Sequence, residues 1–144
     1  MKHKLATVSL AAALFASSAF AQSATDLSGT WTGSYIAASP ANSNKPFPRF
    51  GKAEWRLDIT HQEENAFFGT SQWRYDGGDW TKYQATGSIR SDGSGVVSIL
   101  EAAENPPYTV NSVSNGQLID DKIYIDFQGL RLGTSYSTVL EKQD

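Results

Sequence analysis

The sequence predicts an all-β protein, folded as an antiparallel up-and-down β-barrel of about eight strands. Apolar and polar side chains alternate along residues 53–60, which gives a dry face and a wet face with a period of two residues. The same alternation returns in short segments that are separated by turn sequences rich in Gly, Asn and Asp. Beyond residue 21, no stretch has the three-and-four spacing of apolar residues that is typical of a helix.

Eight segments carry the strand pattern, at spacings of about 8–12 residues, which are typical of an antiparallel sandwich or barrel. They cover residues 29–36, 53–60, 66–75, 80–90, 95–101, 108–114, 123–127 and 135–140. Turn sequences separate several of them at residues 76–79, 91–94, 115–116 and 128–129. Residues 104–107 lie outside the predicted sheet, because Pro106 and Pro107 lack the N–H that a ladder needs. Residues 117–122 fit either a second turn at Asp120-Asp121 or a strand that runs through.

Only one connection is long. Residues 37–50 carry three prolines and are predicted as an irregular loop between the first two strands. The other connections are short, which favours consecutive hairpins over a Greek key. Closing the sheet removes the exposed edges that promote aggregation. Eight closed strands enclose an interior that is filled by side chains or holds one small ligand.

The first 21 residues are predicted to be a signal peptide. A short basic start is followed by an apolar run and by Ala19-Phe20-Ala21, the small-x-small pattern that precedes signal cleavage. The run is too short for a bilayer span of about 20 residues. We therefore expect cleavage after Ala21, a single β-barrel domain over residues 22–144, a periplasmic or secreted location and no membrane insertion.

Composition excludes several classes of function. The chain has no cysteine, so it has no thiolate metal site and no cysteine nucleophile. Cleavage would remove two of the 12 Lys and Arg residues, leaving 10 against 15 acidic residues and a net charge near −5. The remaining chain has no basic run, which argues against nucleic acid as a partner. We expect no metal and no cofactor.

Residues 27–33, Leu-Ser-Gly-Thr-Trp-Thr-Gly, resemble the opening of lipocalin-like and avidin-like barrels. In those families a Gly-x-Trp begins the first strand, and the Trp packs across one end of the barrel. The resemblance implies the same place for Trp31, and it extends to residues 134–142 as the closing strand. On this basis the chain is similar to small bacterial secreted barrels of the lipocalin-like or avidin-like kind. It implies no particular ligand, because the later avidin and lipocalin motifs are missing.

A hairpin around residues 76–79 carries the strongest candidate site. If Gly77-Gly78 forms a two-residue turn, Tyr75 lies opposite Trp80, and Trp73 lies opposite Lys82. Trp73, Tyr75 and Trp80 would then share one face, with Lys82 over the indole of Trp73, and Ser71 and Gln84 would continue that face with hydrogen-bonding groups. Aromatic rings beside hydrogen-bonding groups suit a sugar or a flat apolar ligand. The alternative is that the rings are ordinary cross-strand pairs of a filled core.

Other residues offer weaker chemistry. Asp76 and Asp79 would face each other across the turn, where they could bind a cation or act as the carboxyl pair of a glycosidase. In the alternative interpretation, both residues are solvated carboxylates of an ordinary turn. His61 continues the apolar face of residues 53–59 and is expected as a half-buried residue near the strand end, since no second histidine remains after cleavage. In the Pro-rich loop, Phe47 and Phe50 are candidates for a lid or a partner-binding surface.

We therefore expect a non-enzymatic secreted or periplasmic β-barrel that binds a small apolar, aromatic or sugar ligand. The predicted ligand contacts are Trp73, Tyr75, Trp80, Lys82, Phe47 and Phe50. One alternative is a protein-binding module, such as an inhibitor or an envelope accessory protein, that acts through residues 37–50. Another is a carboxylate-dependent hydrolase that uses Asp76 and Asp79 or a further acid on the inner wall. No catalytic residue is assigned.

Overall fold

A computed structural model of the protein describes residues 25–40, 49–130 and 133–144. The predicted signal peptide and its cleavage site after Ala21 lie outside the described residues, as do Phe47 and most of the Pro-rich loop. The described chain forms eight strands: β1 (Gly29–Ser39), β2 (Arg49–Glu63), β3 (Ala66–Tyr75), β4 (Thr81–Ile89), β5 (Val96–Ala102), β6 (Val110–Ile119), β7 (Lys122–Gly129) and β8 (Ser135–Lys142). No helix in these three stretches is long and apolar enough to cross a membrane.

The strands close into a barrel in which every strand pairs with its neighbours in the chain. β1 pairs with β2, each later strand pairs antiparallel with the next, and β8 returns to pair with β1. This confirms the predicted all-β, up-and-down barrel of eight antiparallel strands. Its order follows from the alternating pattern and the short turns, because tight turns keep sequential strands adjacent.

Several strand boundaries differ from the prediction. Asn115-Gly116 is not a turn, because both residues lie within β6 and pair with β5 and β7. A Cβ at Gly116 would lie 2.2 Å from the carbonyl oxygen of Tyr124, so this glycine serves close strand packing. The turn between β6 and β7 falls at Asp120-Asp121, where both residues have positive φ. The long loop is also shorter than 37–50, since β1 extends to Ser39 and β2 begins at Arg49.

The interior has two halves of different chemistry. We call the end at which β1 ends and β2 begins the upper end, and the opposite end the lower end. The lower half is filled by aliphatic and aromatic side chains, among them Leu57, Ile59, Phe67, Ile89, Val97, Ile99, Ile123 and Leu140. Trp31 is buried in this lower half. Its Nε1 donates a hydrogen bond of 2.8 Å to the carbonyl oxygen of Leu27, which lies in the chain preceding β1. The upper half combines aromatic rings with buried polar groups.

Candidate functional site

The upper interior is organised around one buried carboxyl group. Strand β5 places Val97, Ile99 and Glu101 on its inner face, because successive side chains of a strand alternate between its two sides. Glu101 is 0% exposed and is the only charged side chain among the buried residues that the structure describes. Burial of a carboxyl group is costly unless it is hydrogen-bonded or paired. The groups around Glu101 are therefore central to the candidate site.

Strands β3 and β6 supply three hydrogen-bond donors to Glu101. The Ser71 hydroxyl on β3 donates to Oε1, and the Ser112 hydroxyl on β6 donates to Oε2 over 2.6 Å. The Asn111 side chain also hydrogen-bonds to the carboxyl group. On β2, the Nε1 of Trp55 donates to the Ser71 hydroxyl oxygen over 2.6 Å. The network thus joins four strands and holds the carboxyl group in one position.

Burial sets the electrostatics of this site. The loss of solvation raises the pKa of Glu101 above its ordinary value, while the three donated hydrogen bonds act in the opposite direction. Burial also raises the pKa of the Tyr35 and Tyr136 hydroxyl groups, and the charge of Glu101 contributes to both shifts. Both tyrosines therefore stay neutral in ordinary buffers.

Aromatic rings line the interior close to the network. Tyr136 stacks against Tyr35 with ring centroids 3.5 Å apart, and against Phe127 with centroids 4.3 Å apart. Trp55 meets both Phe127 and Tyr136 edge to face, at 6.2 and 6.3 Å. These rings bring large apolar area and polarisable faces next to the buried carboxyl group.

Three further aromatic residues line the interior nearer the upper end. Trp73 packs edge to face with Tyr75 at 5.4 Å and lies parallel to Tyr83 at 5.8 Å. All three side chains are only half-buried. The Nε1 of Trp73 is nevertheless enclosed and has no hydrogen-bond partner among the described residues. An enclosed donor without a partner is uncommon in a native protein, and either a water molecule or a ligand atom can supply the missing acceptor.

The register of the β3–β4 hairpin differs from the prediction. Asp76 and Gly77 both have positive φ, and Gly78 N–H donates to Tyr75 O, so Asp-Gly makes the tight turn in place of Gly77-Gly78. An extra residue before β4 then pairs Trp73 with Thr81. The observed pairing of β3 with β4 therefore differs from the predicted pairing by one residue. A shift of one residue exchanges the two faces of a strand, so residues predicted to share a face lie on opposite faces.

The slip separates the four predicted hairpin contacts. Trp73 and Tyr75 pack against the core, as expected, and Ser71 lies buried on the same inner face. Lys82 instead pairs with Gln72 and forms an exposed ion pair with Glu104. Trp80 precedes β4 and packs under the guanidinium of Arg74, 4.7 Å away, so the predicted shared face of Trp73, Tyr75, Trp80 and Lys82 is wrong.

The remaining predicted residues that the structure describes, Gln84 among them, are exposed. Phe50 is 81% exposed near the start of β2, whereas Phe47 lies outside the described residues. Asp76 and Asp79 are exposed at the hairpin turn. In the parts of the chain that the structure describes, no group of three or more His, Asp and Glu side chains is placed to hold a metal ion.

His61 is exposed, contrary to the prediction of a half-buried residue on the apolar face. The β2–β3 register shifts between Ile59 and His61, so His61 pairs with Phe68. This irregularity turns the imidazole outward, where it stacks on the Phe68 ring with centroids 4.4 Å apart. A β-bulge of this kind leaves no clear mark in an alternating sequence.

Sequence reasoning missed Glu101, which is the central residue of the candidate site. Its signal was present: in the alternation Val97, Ile99, Glu101 an acid occupies a position where the pattern expects an apolar residue. Without the partner strands, that position also fits a strand end in solvent. The sequence pattern does put Ser71 on the ligand-facing side, but its bond to Glu101 depends on strands that are distant in sequence.

The fold and the site together define a closed eight-stranded β-barrel of lipocalin-like shape with a buried carboxyl group in its interior. The chain matches no protein-family model, and no curated protein matches it either. The residues of the site are therefore the evidence from which function is inferred.

Glu101→Gln is expected to flatten the dependence of stability on pH. The pKa of Glu101 is raised in the folded state, so the unfolded chain loses its proton first as pH rises above the ordinary value of 4.5. The stability that the protonated carboxyl group contributes is then fully present below that pH and falls as pH rises. A tenfold difference in the acid dissociation constant of Glu101 between the folded and the unfolded chain changes the free energy of unfolding by about 1.4 kcal/mol. Urea unfolding at pH 4 and pH 7 should show a fall that is larger in the wild type than in the variant.

A surface variant, Glu63→Gln, is the matched control because its side chain is exposed. It removes the same charge without touching the network. If Glu101→Gln and the wild type lose equal stability between the two pH values, burial does not raise the pKa of Glu101 in the folded protein.

Proposed function

We propose that this protein binds a small molecule in the upper interior of its barrel and does not act as an enzyme. The observation that carries the proposal is the meeting of enclosed polar groups with ring faces at one end of the barrel. Glu101 and its donors lie deepest, and the half-buried rings of Trp73, Tyr75 and Tyr83 lie nearer the upper end. Ligand sites are usually apolar enclosures with a few polar groups that orient the ligand.

The chemistry of the interior supports a ligand whose ring stacks on aromatic faces and carries a hydrogen-bond acceptor. Trp73 and Tyr83 provide ring faces for stacking, and the partnerless Nε1 of Trp73 can donate to a hydroxyl or carbonyl oxygen. A sugar or an aromatic alcohol combines these two features.

We also propose that the protein is exported and that residues 1–21 are removed. The support is the basic, apolar and small-residue order of that segment. Native mass spectrometry of protein purified gently from the periplasm of an expressing cell should give a mass that begins at Gln22. A reproducible small-molecule adduct on the same species would support the binding proposal, whereas an intact Met1 start would contradict export.

Trp73→Phe tests the proposed site directly. Calorimetric titration with 4-ethylphenol, a neutral probe with a ring and a hydroxyl group, should give a measurable dissociation constant for the wild type. The variant keeps a ring but loses the indole N–H, so the affinity should fall about three- to tenfold, the equivalent of one hydrogen bond. Stability should change little, because that N–H has no partner to lose.

Trp80→Phe is the matched control, since Trp80 packs against Arg74 away from the interior. It should leave the affinity for 4-ethylphenol unchanged. Equal losses in both variants, or binding that neither variant alters, would place the site elsewhere. Absence of 4-ethylphenol binding together with an adduct-free native mass would contradict the binding proposal.

A further inference from the structure

We propose that the interior selects a small organic cation, a primary ammonium compound carrying an aromatic ring, with Glu101 as its counterion. The inference rests on the proposed function and adds the charge of the ligand to it. It starts from the position of Glu101, the one charged side chain among the described buried residues.

No described basic side chain neutralises Glu101. The described residues form five ion pairs, and all of them join side chains that reach the solvent: Arg56–Asp58, Arg74–Glu54, Lys82–Glu104, Arg90–Asp92 and Lys122–Glu141. The partners of Glu101 are the neutral side chains of Ser71, Ser112 and Asn111. Buried charges in proteins are normally paired, so a ligand can supply the positive charge that the described part of the barrel wall lacks.

The carboxyl group retains hydrogen-bonding capacity for such a ligand. An ionised carboxylate has about four lone-pair positions. Ser71 uses one on Oε1, Ser112 uses one on Oε2, and Asn111 takes another. One position therefore remains for an ammonium N–H, which would form a charge-assisted hydrogen bond there.

The surrounding rings favour a cation over an anion. Tyr35 and Tyr136 interact electrostatically with Glu101, and burial keeps their hydroxyl groups neutral. Ring faces attract a positive charge most strongly when water is excluded. An anion in the same place would meet the charge of Glu101 with no described basic group to offset it. The aromatic part of the ligand would then extend toward Trp73 and Tyr83.

Three probes with the same phenol ring separate charge from shape. Calorimetric titrations of the mature protein at pH 7 would compare tyramine, which is cationic, with neutral 4-ethylphenol and anionic 4-hydroxyphenylacetate. Tyramine should bind at least about tenfold more tightly than 4-ethylphenol. The anion should bind most weakly. The amine keeps its charge at this pH, since primary ammonium groups titrate near about 10.

Glu101→Gln removes the charge and keeps the size of the side chain. In this variant the ratio of the affinity for tyramine to that for 4-ethylphenol should fall from at least about ten to about one. Glu63→Gln, at an exposed position, should keep the wild-type preference for tyramine. Should Glu101→Gln fail to fold, the order of the three wild-type affinities still decides the question.

The outcomes separate the two proposals. Equal affinity of the wild type for tyramine and 4-ethylphenol would overturn the cation inference and leave the interior as a site for neutral ligands. A preference for tyramine that persists in Glu101→Gln would overturn the role of Glu101 as counterion. Failure of all three probes to bind would overturn the cation inference and count against the proposed function as well.

Discussion

Trp31→Ala is expected to lower the free energy of unfolding by about 3–5 kcal/mol, the usual cost of truncating a buried Trp. Trp31 is 2% exposed and fills the lower end of the barrel. The substitution removes its contacts with the surrounding core and leaves the carbonyl oxygen of Leu27 without the indole N–H that it accepts. It also removes the ring beneath the ammonium group of Lys142, 5.6 Å away. Urea unfolding monitored by circular dichroism would measure the loss.

Trp80→Ala is the control for this prediction, because Trp80 is 40% exposed and packs mainly against Arg74. An exposed cation–π contact contributes only about 0.5–1 kcal/mol. The two variants delete the same side chain, so the difference between them reports burial. Similar losses in both would contradict the assignment of Trp31 to the barrel core.

Ser71→Ala is expected to lower the free energy of unfolding by roughly 2–5 kcal/mol, because it removes one hydroxyl group that satisfies two buried partners. The Nε1 of Trp55 would lose its acceptor, and Glu101 would lose a donor to Oε1. Both groups are enclosed, so water cannot readily replace the missing hydroxyl. Chemical unfolding at pH 7 would measure the effect.

Ser114→Ala provides a matched comparison at another fully buried serine of the inner wall. The Ser114 hydroxyl has no hydrogen-bond partner among the described residues. Its removal should therefore change stability by less than about 1 kcal/mol, or raise it slightly. If both serine variants were equally stable, the network around Glu101 would contribute nothing to the folded state.

Much of the fold was predictable because barrel strands carry their signal locally. The alternation along residues 53–60 predicted β2, and the Asp-Gly and Gly-rich turns located most of the hairpins. The Gly-x-Trp at residues 29–31 correctly indicated a first strand with a buried Trp at one end. Each of these signals spans fewer than ten residues or so, which is the scale of one strand or turn.

The errors arose where one residue changes the register. In the β3–β4 hairpin, two neighbouring dipeptides, Asp76-Gly77 and Gly77-Gly78, are both good two-residue turns. The extra residue before β4 sent Trp80 and Lys82 away from Trp73. The bulge after Ile59 did the same to His61. The local preferences of such alternative turns differ too little to fix the strand register. The register is fixed by side-chain packing across the sheet.

The sequence by itself determined that this protein consists of about eight short antiparallel strands, a pattern that fits a sandwich or a barrel, and its short turns favoured the closed up-and-down barrel. Only the tertiary structure decided where its chemistry lies. Ser112 pairs with Glu101 within the β5–β6 hairpin, whereas Ser71 lies on β3 and reaches the carboxyl group only when the sheet curves into a barrel. Closure also converts an acid near the end of β5 into a buried carboxyl group. Solvation and hydrogen bonding of that kind depend on long-range contacts, which no local pattern specifies.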